Sequence, residues 1–362
     1  MLGESRSAPG GGAMGVGEVE RELARLRMND DGTLGLRASV LNLIVVTDEE
    51  SAPGVTQAVS NLAGRYPSRA IVLISDPEEA QRNLDIGVSA FCAVRGGTGG
   101  SQVCAELVTV HAEGPPALHL ESLAGPLLVS DLPVFLWYPG HFSPSTPEFS
   151  GMMGLAGRII VDSAASGEAE RCLPEMATLL DDPGNPAIGD LQWVALSPWR
   201  TLMAEMFGSA ERAAALESVH KVEVLYGPGG ESRALLLVGW LASSLGWRVR
   251  GATHDDGRGA GRKIHFLGPS GEVVVAMDPN SPDAKLRRIR LYSEGPSFQV
   301  SRHRALREAR ATVMQDDEII AERTVRMGTF DLGVLVGEEL HYRGRDEVYE
   351  AALRAAVEIM NT

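Results

Sequence analysis

Cysteine is scarce in this chain, with three in 362 residues, at Cys92, Cys104 and Cys172. Their spacing matches neither a paired metal-binding motif nor a disulfide framework, which excludes a small cysteine-stapled fold. Cys92 and Cys104 lie on apolar runs that flank a glycine-rich turn, so the two side chains could face each other across a hairpin. We nevertheless expect all three to be buried, reduced thiols.

Long apolar runs and an excess of basic charge are also absent. No run approaches the roughly 20 residues that span a bilayer, and residues 1–17 lack the basic and apolar regions of a secretory signal. The 33 basic and 48 acidic residues give a net charge of −15, which repels nucleic acid and anionic lipid. We therefore expect a cytoplasmic protein with neither nucleic acid nor membranes as partners.

Motifs for cofactors, metals and nucleophiles are missing as well. The glycines of 96–100 fit neither dinucleotide nor P-loop spacing and lead into a strand-like run, which favours a hairpin turn. Three carboxylates in 47–51 would repel a pyrophosphate at the first strand-to-helix junction. His254 and its two neighbouring aspartates are adjacent on a loop and favour a solvated turn. The residues thus predict no cofactor, no metal and no catalytic residue.

The patterns that are present predict an α/β fold. An apolar strand at 40–46, a helix that Ser51 caps and a second strand at 70–74 predict a right-handed crossover between parallel strands. Runs at 88–94 and 103–110 predict a hairpin. A strand within 131–140 that ends in two aromatics and a strand at 158–162 complete a Rossmann-like, mostly parallel sheet with a hairpin insertion, and a second α+β domain follows.

The domain boundaries follow from composition and turns. Residues 1–37 predict a disordered tail and a short amphipathic helix, with Val19, Leu23 and Leu26 on one stripe. Residues 38–187 form the Rossmann-like domain, which ends at a Pro- and Gly-rich turn. Residues 188–362 form the α+β domain, with β-rich sequence from 263 to 314 between helices.

Two kinds of residue are candidates for contacts with a partner. Large aromatics and an arginine next to prolines are the residue types that anchor interfaces, and basic residues concentrated on an acidic chain could steer it onto an acidic protein. The alternatives are that the aromatics belong to the core and that the basic residues lie on the solvated faces of strands. The candidates are Trp137, Tyr138, Trp199, Arg200, Arg287, Arg288 and Arg290.

An ordered series of short motifs carries a resemblance to a known family. The series comprises the apolar strand 40–46, His119-Leu120-Glu121-Ser122-Leu123 with Pro126-Leu127-Leu128, Asp131-Leu132-Pro133 with Leu136-Trp137-Tyr138, and Asp190-Leu191-Gln192-Trp193 with Ser197-Pro198-Trp199-Arg200. In this order, over about residues 38 to 350, the chain resembles the glucose-6-phosphate dehydrogenase assembly protein (OpcA) family of actinobacteria and cyanobacteria.

The resemblance implies a non-catalytic factor. Such a protein binds glucose-6-phosphate dehydrogenase, promotes its active oligomer and raises its apparent substrate affinity, which supports the oxidative pentose phosphate pathway and NADPH supply without a cofactor of its own. Cyanobacterial relatives are associated with redox control through cysteines near the C-terminal end, whereas this chain has none after Cys172. We therefore expect a constitutive, actinobacterial type of activator.

Two other classes of function stay open. A Rossmann-like sheet offers a crevice at the carboxyl ends of its strands, which would suit an enzyme or sensor for a sugar phosphate or nucleotide. The chain could also be a structural subunit of another complex. Contact residues, stoichiometry and any metabolite that modulates binding are not determined by the sequence.

Overall fold

The computed structural model describes residues 4–8, 14–28, 36–37, 39–95, 101–140, 143–165, 169–254, 261–282, 285–303, 308–328 and 330–362. Contacts within the chain form two compact units. Unit 1 comprises residues 1–165, 182–190 and 331–345, and unit 2 comprises residues 166–181, 191–330 and 346–362. Each unit therefore combines segments that are distant in sequence.

Unit 1 contains a nine-stranded sheet. Its strands are β1 (Glu4–Ala8), β2 (Leu36–Arg37), β3 (Leu41–Thr47), β4 (Ser68–Asp76), β5 (Asn83–Arg95), β6 (Ser101–Glu113), β7 (Val134–Tyr138), β8 (Arg158–Val161) and β9 (Ala187–Asp190). Its helices are α1 (Val16–Leu26), α2 (Ala52–Ala63), α3 (Leu120–Ala124), α4 (Pro147–Met153) and α10 (Leu332–Glu339).

The strand order confirms the Rossmann-like fold. Strands β6, β4, β3, β7, β8 and β9 are neighbours in that sequence and parallel. Numbered along the chain, these parallel strands have the order 3-2-1-4-5-6 of dinucleotide-binding sheets. The predicted hairpin insertion is the antiparallel pair β5 and β6, and its turn, residues 96–100, lies outside the described residues.

The edge of the sheet corrects two expectations. The sequence predicts a disordered tail over residues 1–17, but Glu4–Ala8 pairs with β5 as a strand. The pairing forms because the outer edge of β5 offers unpaired backbone groups. The register places Cys92 opposite Cys104, and Cys104 is disulfide-bonded. A reduced thiol was expected at Cys104, but opposed positions on antiparallel strands lie close enough for a bridge. Cys172 is a buried thiol.

The interior of unit 1 contains buried ion pairs in two places. In the first, Arg69 on β4 is fully buried and its Nε donates to Glu106 Oε2 on β6 at 2.7 Å. The two residues are opposite in the parallel register. The Nη1 atom of Arg69 donates to the carbonyl oxygen of Leu127 at 2.8 Å, so the guanidinium also holds the segment that leads towards β7.

The second buried pair joins β8 to α10. Arg158 Nη2 lies 2.7 Å from Glu339 Oε2, with both side chains at most 3% exposed, and Arg158 Nη1 donates to the carbonyl oxygen of Gly344 at 2.7 Å. Gly189 on β9 makes room for the carboxylate, since a Cβ there would lie 2.0 Å from Glu339 Oε2. Removal of one member of such a pair leaves an uncompensated buried charge.

Unit 2 contains an eight-stranded sheet in the order β11-β12-β13-β10-β14-β15-β16-β17. Only the β10 and β13 pair is parallel. The strands are β10 (Lys221–Leu225), β11 (Arg248–His254), β12 (Arg262–Gly268), β13 (Gly271–Asp278), β14 (Arg288–Tyr292), β15 (Ser297–His303), β16 (Glu308–Gln315) and β17 (Glu318–Arg326). The sequence reasoning missed β17, whose residues are mostly exposed and lack clean alternation.

The helices of unit 2 include the two longest in the described chain, which touch through their backbones. A Cβ on Gly239 of α9 would lie 2.2 Å from the carbonyl oxygen of Ala352 in α11, so glycine permits this approach. The helices are α5 (Ala169–Leu179), α6 (Leu191–Ala195), α7 (Ser197–Met206), α8 (Ala210–Ala215), α9 (Glu231–Leu245) and α11 (Glu347–Met360). Among the described residues, every helix is too short or too polar to cross a membrane.

Asp346 fixes the start of α11 and a buried indole together. Its Oδ1 accepts the backbone N–H of Tyr349 at 3.0 Å, and its Oδ2 accepts the Nε1–H of Trp193 at 3.0 Å. Trp193 is 3% exposed and its ring packs on that of Tyr349 with centroids 5.5 Å apart. One carboxylate thus satisfies two donors from different elements.

The close approach at Gly189 predicts a large cost for an added methyl group. We expect Gly189→Ala to lower the free energy of unfolding by about 3 kcal/mol or more, because the methyl group displaces Glu339 from Arg158. Gly87→Ala on β5 is the control, since no heavy atom lies within 4 Å of its added Cβ; we expect a change below about 1 kcal/mol. Urea unfolding of both variants measures the difference, and equal effects would contradict this role for Gly189.

A second prediction separates the two hydrogen bonds of Asp346. We expect Asp346→Ala to cost about 2–4 kcal/mol, from the lost helix cap and an unsatisfied buried indole N–H. In a Trp193→Phe background the same substitution should cost only about 1 kcal/mol, the cap alone. Chemical unfolding of the four proteins of this cycle gives the coupling. Identical costs in both backgrounds would show that the indole hydrogen bond contributes nothing.

Candidate functional site

The candidate site of unit 1 lies where the strand order reverses, between β3 and β7. Ligands of doubly wound sheets bind outside the carboxyl ends of the strands at this point. Asp48 follows β3, and Pro139 and Gly140 follow β7. A Cβ on Gly140 would lie 4.0 Å from Asp48 Oδ2, so the two loops lie side by side at the position where a cofactor would enter.

Asp48 places a carboxylate in the turn before α2. Its Oδ1 accepts the backbone N–H of Ser51 at 2.7 Å, and its carbonyl oxygen accepts the N–H of Ala52 at 3.0 Å. The carboxylate therefore lies at the start of the turn that leads into α2, where dinucleotide-binding sheets hold a pyrophosphate. Ser51, the predicted cap, makes no capping hydrogen bond through its side chain, because Asp48 already satisfies that turn.

A further carboxylate and a half-buried tyrosine lie on the loops and strands of this edge. The side chain of Glu49 is 80% exposed, and its Oε2 lies 3.5 Å from His111 Nδ1 at the end of β6. Burial raises the pKa of Tyr138 at the end of β7, and the negative charge of Glu148 adds to the effect. This edge of the sheet thus favours cations over phosphates. Within the described residues, no group of three or more His, Cys, Asp or Glu side chains is suited to hold a metal ion.

Burial separates the predicted aromatic contact residues. Trp137 is 0% exposed and Trp199 is 1% exposed, so both indoles belong to the core and present no surface to a partner. The structure therefore corrects their nomination as contact residues, because Trp137 on β7 and Trp199 in α7 are both buried. Tyr138 is half-buried, with its ring centroid 5.4 Å from that of Phe149 in α4, and retains some exposed surface.

Arg200 covers an aromatic ring within unit 2. Its guanidinium carbon lies 3.4 Å from the centroid of Trp193, and its Nη2 donates to Ser197 Oγ at 3.2 Å. Such a cation–π contact contributes about 0.5–2 kcal/mol. Arg200 is half-buried, so any contact that it makes with a partner competes with this packing.

Two of the three basic candidates share one face of the unit 2 sheet. Arg288 and Arg290 alternate along β14 with the buried Ile289 and Leu291, so their guanidinium groups lie on the side opposite the core. Arg287 precedes the strand, and its backbone N–H donates to the carbonyl oxygen of Leu225 at 2.8 Å. All three arginines are half-buried.

The strand register brings together polar residues that the sequence reasoning missed. Arg290 lies opposite Glu223 on β10 and opposite Gln299 on β15. The guanidinium carbon of Arg290 lies 4.6 Å from the centroid of the Tyr292 ring, and Lys221 Nζ lies 4.9 Å from it. The alternation of charged and apolar residues in 221–225 and 288–292 is the sequence signal for this face, but it does not indicate which strands are neighbours.

Glu223 is held in its ionised form by this cluster. Its Oε1 lies 2.7 Å from Lys221 Nζ, and its Oε2 accepts the hydroxyl of Tyr292 at 2.8 Å. Burial by itself would raise the pKa of Glu223, but the hydrogen bonds from Lys221 and Tyr292, with the charges of Lys221 and Arg288, hold it below its ordinary value. These contacts join Lys221, Glu223 and Tyr292 into one cluster on this face of the sheet.

Comparison with solved structures concerns the fold alone. The chain is similar to KijD10, a 3-ketoreductase from Actinomadura kijaniata whose crystal structure is in complex with TDP-benzene and NADP. The TM-score is 0.50 at 10% sequence identity, over 89% of this chain and 96% of that one. This likeness agrees with the Rossmann strand order of unit 1.

Comparison with known sequences identifies the family. The chain is 30% identical over 223 residues to a Nostoc punctiforme protein and 28% identical over 215 residues to a Synechocystis protein. Both relatives are named as the OxPP cycle protein OpcA. The matches cover 62% and 59% of this chain and 47% and 45% of the relatives, so the chain spans about half the length of these relatives.

Two family models match most of the chain between them. Residues 59–178 match the glucose-6-phosphate dehydrogenase subunit N-terminal domain of OpcA. Residues 186–353 match the corresponding C-terminal domain. Both models belong to one family and follow each other in the expected order, and the relatives carry the same name. The chain therefore belongs to the OpcA family.

Proposed function

We propose that this protein is a non-catalytic assembly factor that binds glucose-6-phosphate dehydrogenase and promotes its active oligomer. In this role it raises the apparent affinity of the enzyme for its substrate and supports NADPH supply through the oxidative pentose phosphate pathway. The proposal places it in the cytoplasm, as an activator of the actinobacterial type.

One observation carries the non-catalytic part of the proposal. The carboxylate of Asp48 accepts the Ser51 N–H at 2.7 Å and so fills, with a fixed negative charge, the position that binds a cofactor phosphate in sheets of this strand order. The descriptions of both domain models as parts of a glucose-6-phosphate dehydrogenase subunit support the choice of partner.

An assembly factor needs differential affinity and no bond chemistry. A protein that binds one oligomeric form of its partner more tightly than the others shifts the population towards that form. A coupling free energy of about 1–3 kcal/mol changes affinity by about 5- to 150-fold. A stable surface that contacts the partner is sufficient for this effect.

The function is tested with the two purified proteins. We expect co-elution on size-exclusion chromatography, a larger dehydrogenase oligomer in the mixture, and a glucose-6-phosphate KM lowered by about fivefold or more. A heat-denatured sample of the factor at the same concentration is the control. Separate elution together with unchanged kinetics and oligomer size would refute the proposal.

A second candidate function is a sensor of nucleotides or sugar phosphates, which the Rossmann strand order favours. The charge of Asp48 opposes it, and we expect no rise in melting temperature with NADP⁺, ATP or glucose 6-phosphate at millimolar concentration. A saturable rise for any of them would instead support the sensor.

Variants at Asp48 test its structural role independently of any ligand. We expect Asp48→Ala to lower the free energy of unfolding by about 0.5–2 kcal/mol, because the turn before α2 loses its capping oxygen. Asp48→Asn is the matched control, since the amide oxygen can still accept the Ser51 N–H and stability should be nearly unchanged. Equal losses in both variants would show that charge, and not the hydrogen bond, stabilises this turn.

A further inference from the structure

One face of the unit 2 sheet is built as an ordered polar surface. We call it the open face and define it by three cross-strand rows over β10, β14, β15, β16 and β17. The rows are Leu225, Arg288, Ser301, Arg310 and Thr324; Glu223, Arg290, Gln299, Thr312 and Glu322; and Lys221, Tyr292, Ser297, Met314 and Ile319. On the opposite face Phe298 is buried, with its ring 4.4 Å from Phe207, the residue that follows α7.

The open face is positive although the protein is acidic. It carries the cations Lys221, Arg288, Arg290 and Arg310 against the carboxylates Glu223 and Glu322, counted over the three rows, while the chain has a net charge of −15. Such local reversal of charge attracts an acidic surface and accelerates encounter with it.

Several donors in this face have no acceptor among the described residues. The Nε atoms of Arg288 and Arg290 are buried and have no hydrogen-bond partner among these residues. The same is true of the Oγ1 of Thr312, a residue that is only 4% exposed. Thr312 lies opposite Gln299, which lies opposite Arg290. Unsatisfied buried donors are costly, and a carboxylate is the acceptor that guanidinium groups bind best.

The shape of the open face favours a macromolecule over a metabolite. Sites for small molecules are concave and enclose most of the ligand, whereas these residues follow the surface of a β-sheet and are partly exposed. The side chains of Lys221 and Arg310 are 47% and 54% exposed. The tyrosine and arginines of β14 are residue types that contribute most of the binding energy at protein interfaces.

We propose that the open face is the docking surface for a carboxylate-rich surface of a partner protein. The inference rests on the proposed function, in which that partner is glucose-6-phosphate dehydrogenase. Carboxylates of the partner pair with the guanidinium groups of Arg288 and Arg290, whose side chains are half-buried. Tyr292, which donates to Glu223 and lies beside Lys221, supplies an aromatic contact in the third row.

Double charge-reversal variants, all of which change the net charge of the protein by the same amount, test the docking surface. We compare Arg288→Glu/Arg290→Glu and Lys221→Glu/Arg310→Glu on the open face with the control Arg65→Glu/Arg171→Glu, whose side chains are 68% and 50% exposed outside it. We expect both open-face pairs to raise the Kd for the dehydrogenase by about tenfold or more and to weaken its dependence on salt. The control should stay within about twofold of the wild type.

The outcomes separate this inference from the proposed function. If the wild type binds and the open-face pairs bind as the control does, the docking surface is refuted while the assembly factor stands. If the wild type does not bind the dehydrogenase, the proposed function fails instead. A change in the protein's own oligomeric state, with dehydrogenase binding unaltered, would assign the face to self-association and also overturn the inference. Should Arg288→Glu/Arg290→Glu fail to fold by circular dichroism, the more exposed Lys221 and Arg310 pair decides.

Discussion

The hydrogen bond from the Ser51 N–H to the carboxylate of Asp48 is the constraint on which the functional assignment depends. The parallel order of the unit 1 sheet creates a crevice at the carboxyl ends of β3 and β7, and a helix N-terminus there attracts an anion. In this protein the anion is part of the chain. The strand order of a dinucleotide-binding sheet is thereby combined with a carboxylate at the place where such sheets hold a phosphate, which disfavours an anionic ligand there.

Buried ion pairs explain how distant segments of the chain are held in one unit. Arg158 on β8 and Glu339 on α10 are 181 residues apart in sequence and meet at 2.7 Å, in a space that exists because Gly189 has no side chain. Arg69 and Glu106 do the same between two central strands. Such pairs contribute little net free energy of folding, because the loss of hydration offsets the attraction between the charges. They nevertheless disfavour other arrangements of the chain, because a buried charge without its partner is strongly destabilising. They favour one arrangement of segments over others.

The sheet of unit 2 divides its two faces by chemistry. The alternation in β14 places Ile289 and Leu291 in the core and Arg288 and Arg290 on the other side. Lys221, Glu223 and Tyr292 then organise that side into a fixed cluster. A surface with fixed side chains loses little conformational entropy when another molecule binds to it.

Local patterns in the sequence determined the Rossmann-like fold, the hairpin insertion, the long helices and the ordered motifs of the family, because hydrophobic period and turn residues act over a few positions. They could not determine burial. Trp137 and Trp199 are of a residue type that is common at interfaces, but both lie in the core. The turn before α2 is stabilised by the side chain of Asp48, whereas the sequence predicts Ser51. The sequence also does not indicate that Arg290 lies between Glu223 and Gln299, because the register of neighbouring strands brings together residues that are distant in sequence. The continuous segment 38–187 likewise omits residues 331–345, which tertiary contacts add to unit 1. Within this segment Glu339 forms a buried ion pair with Arg158 on β8.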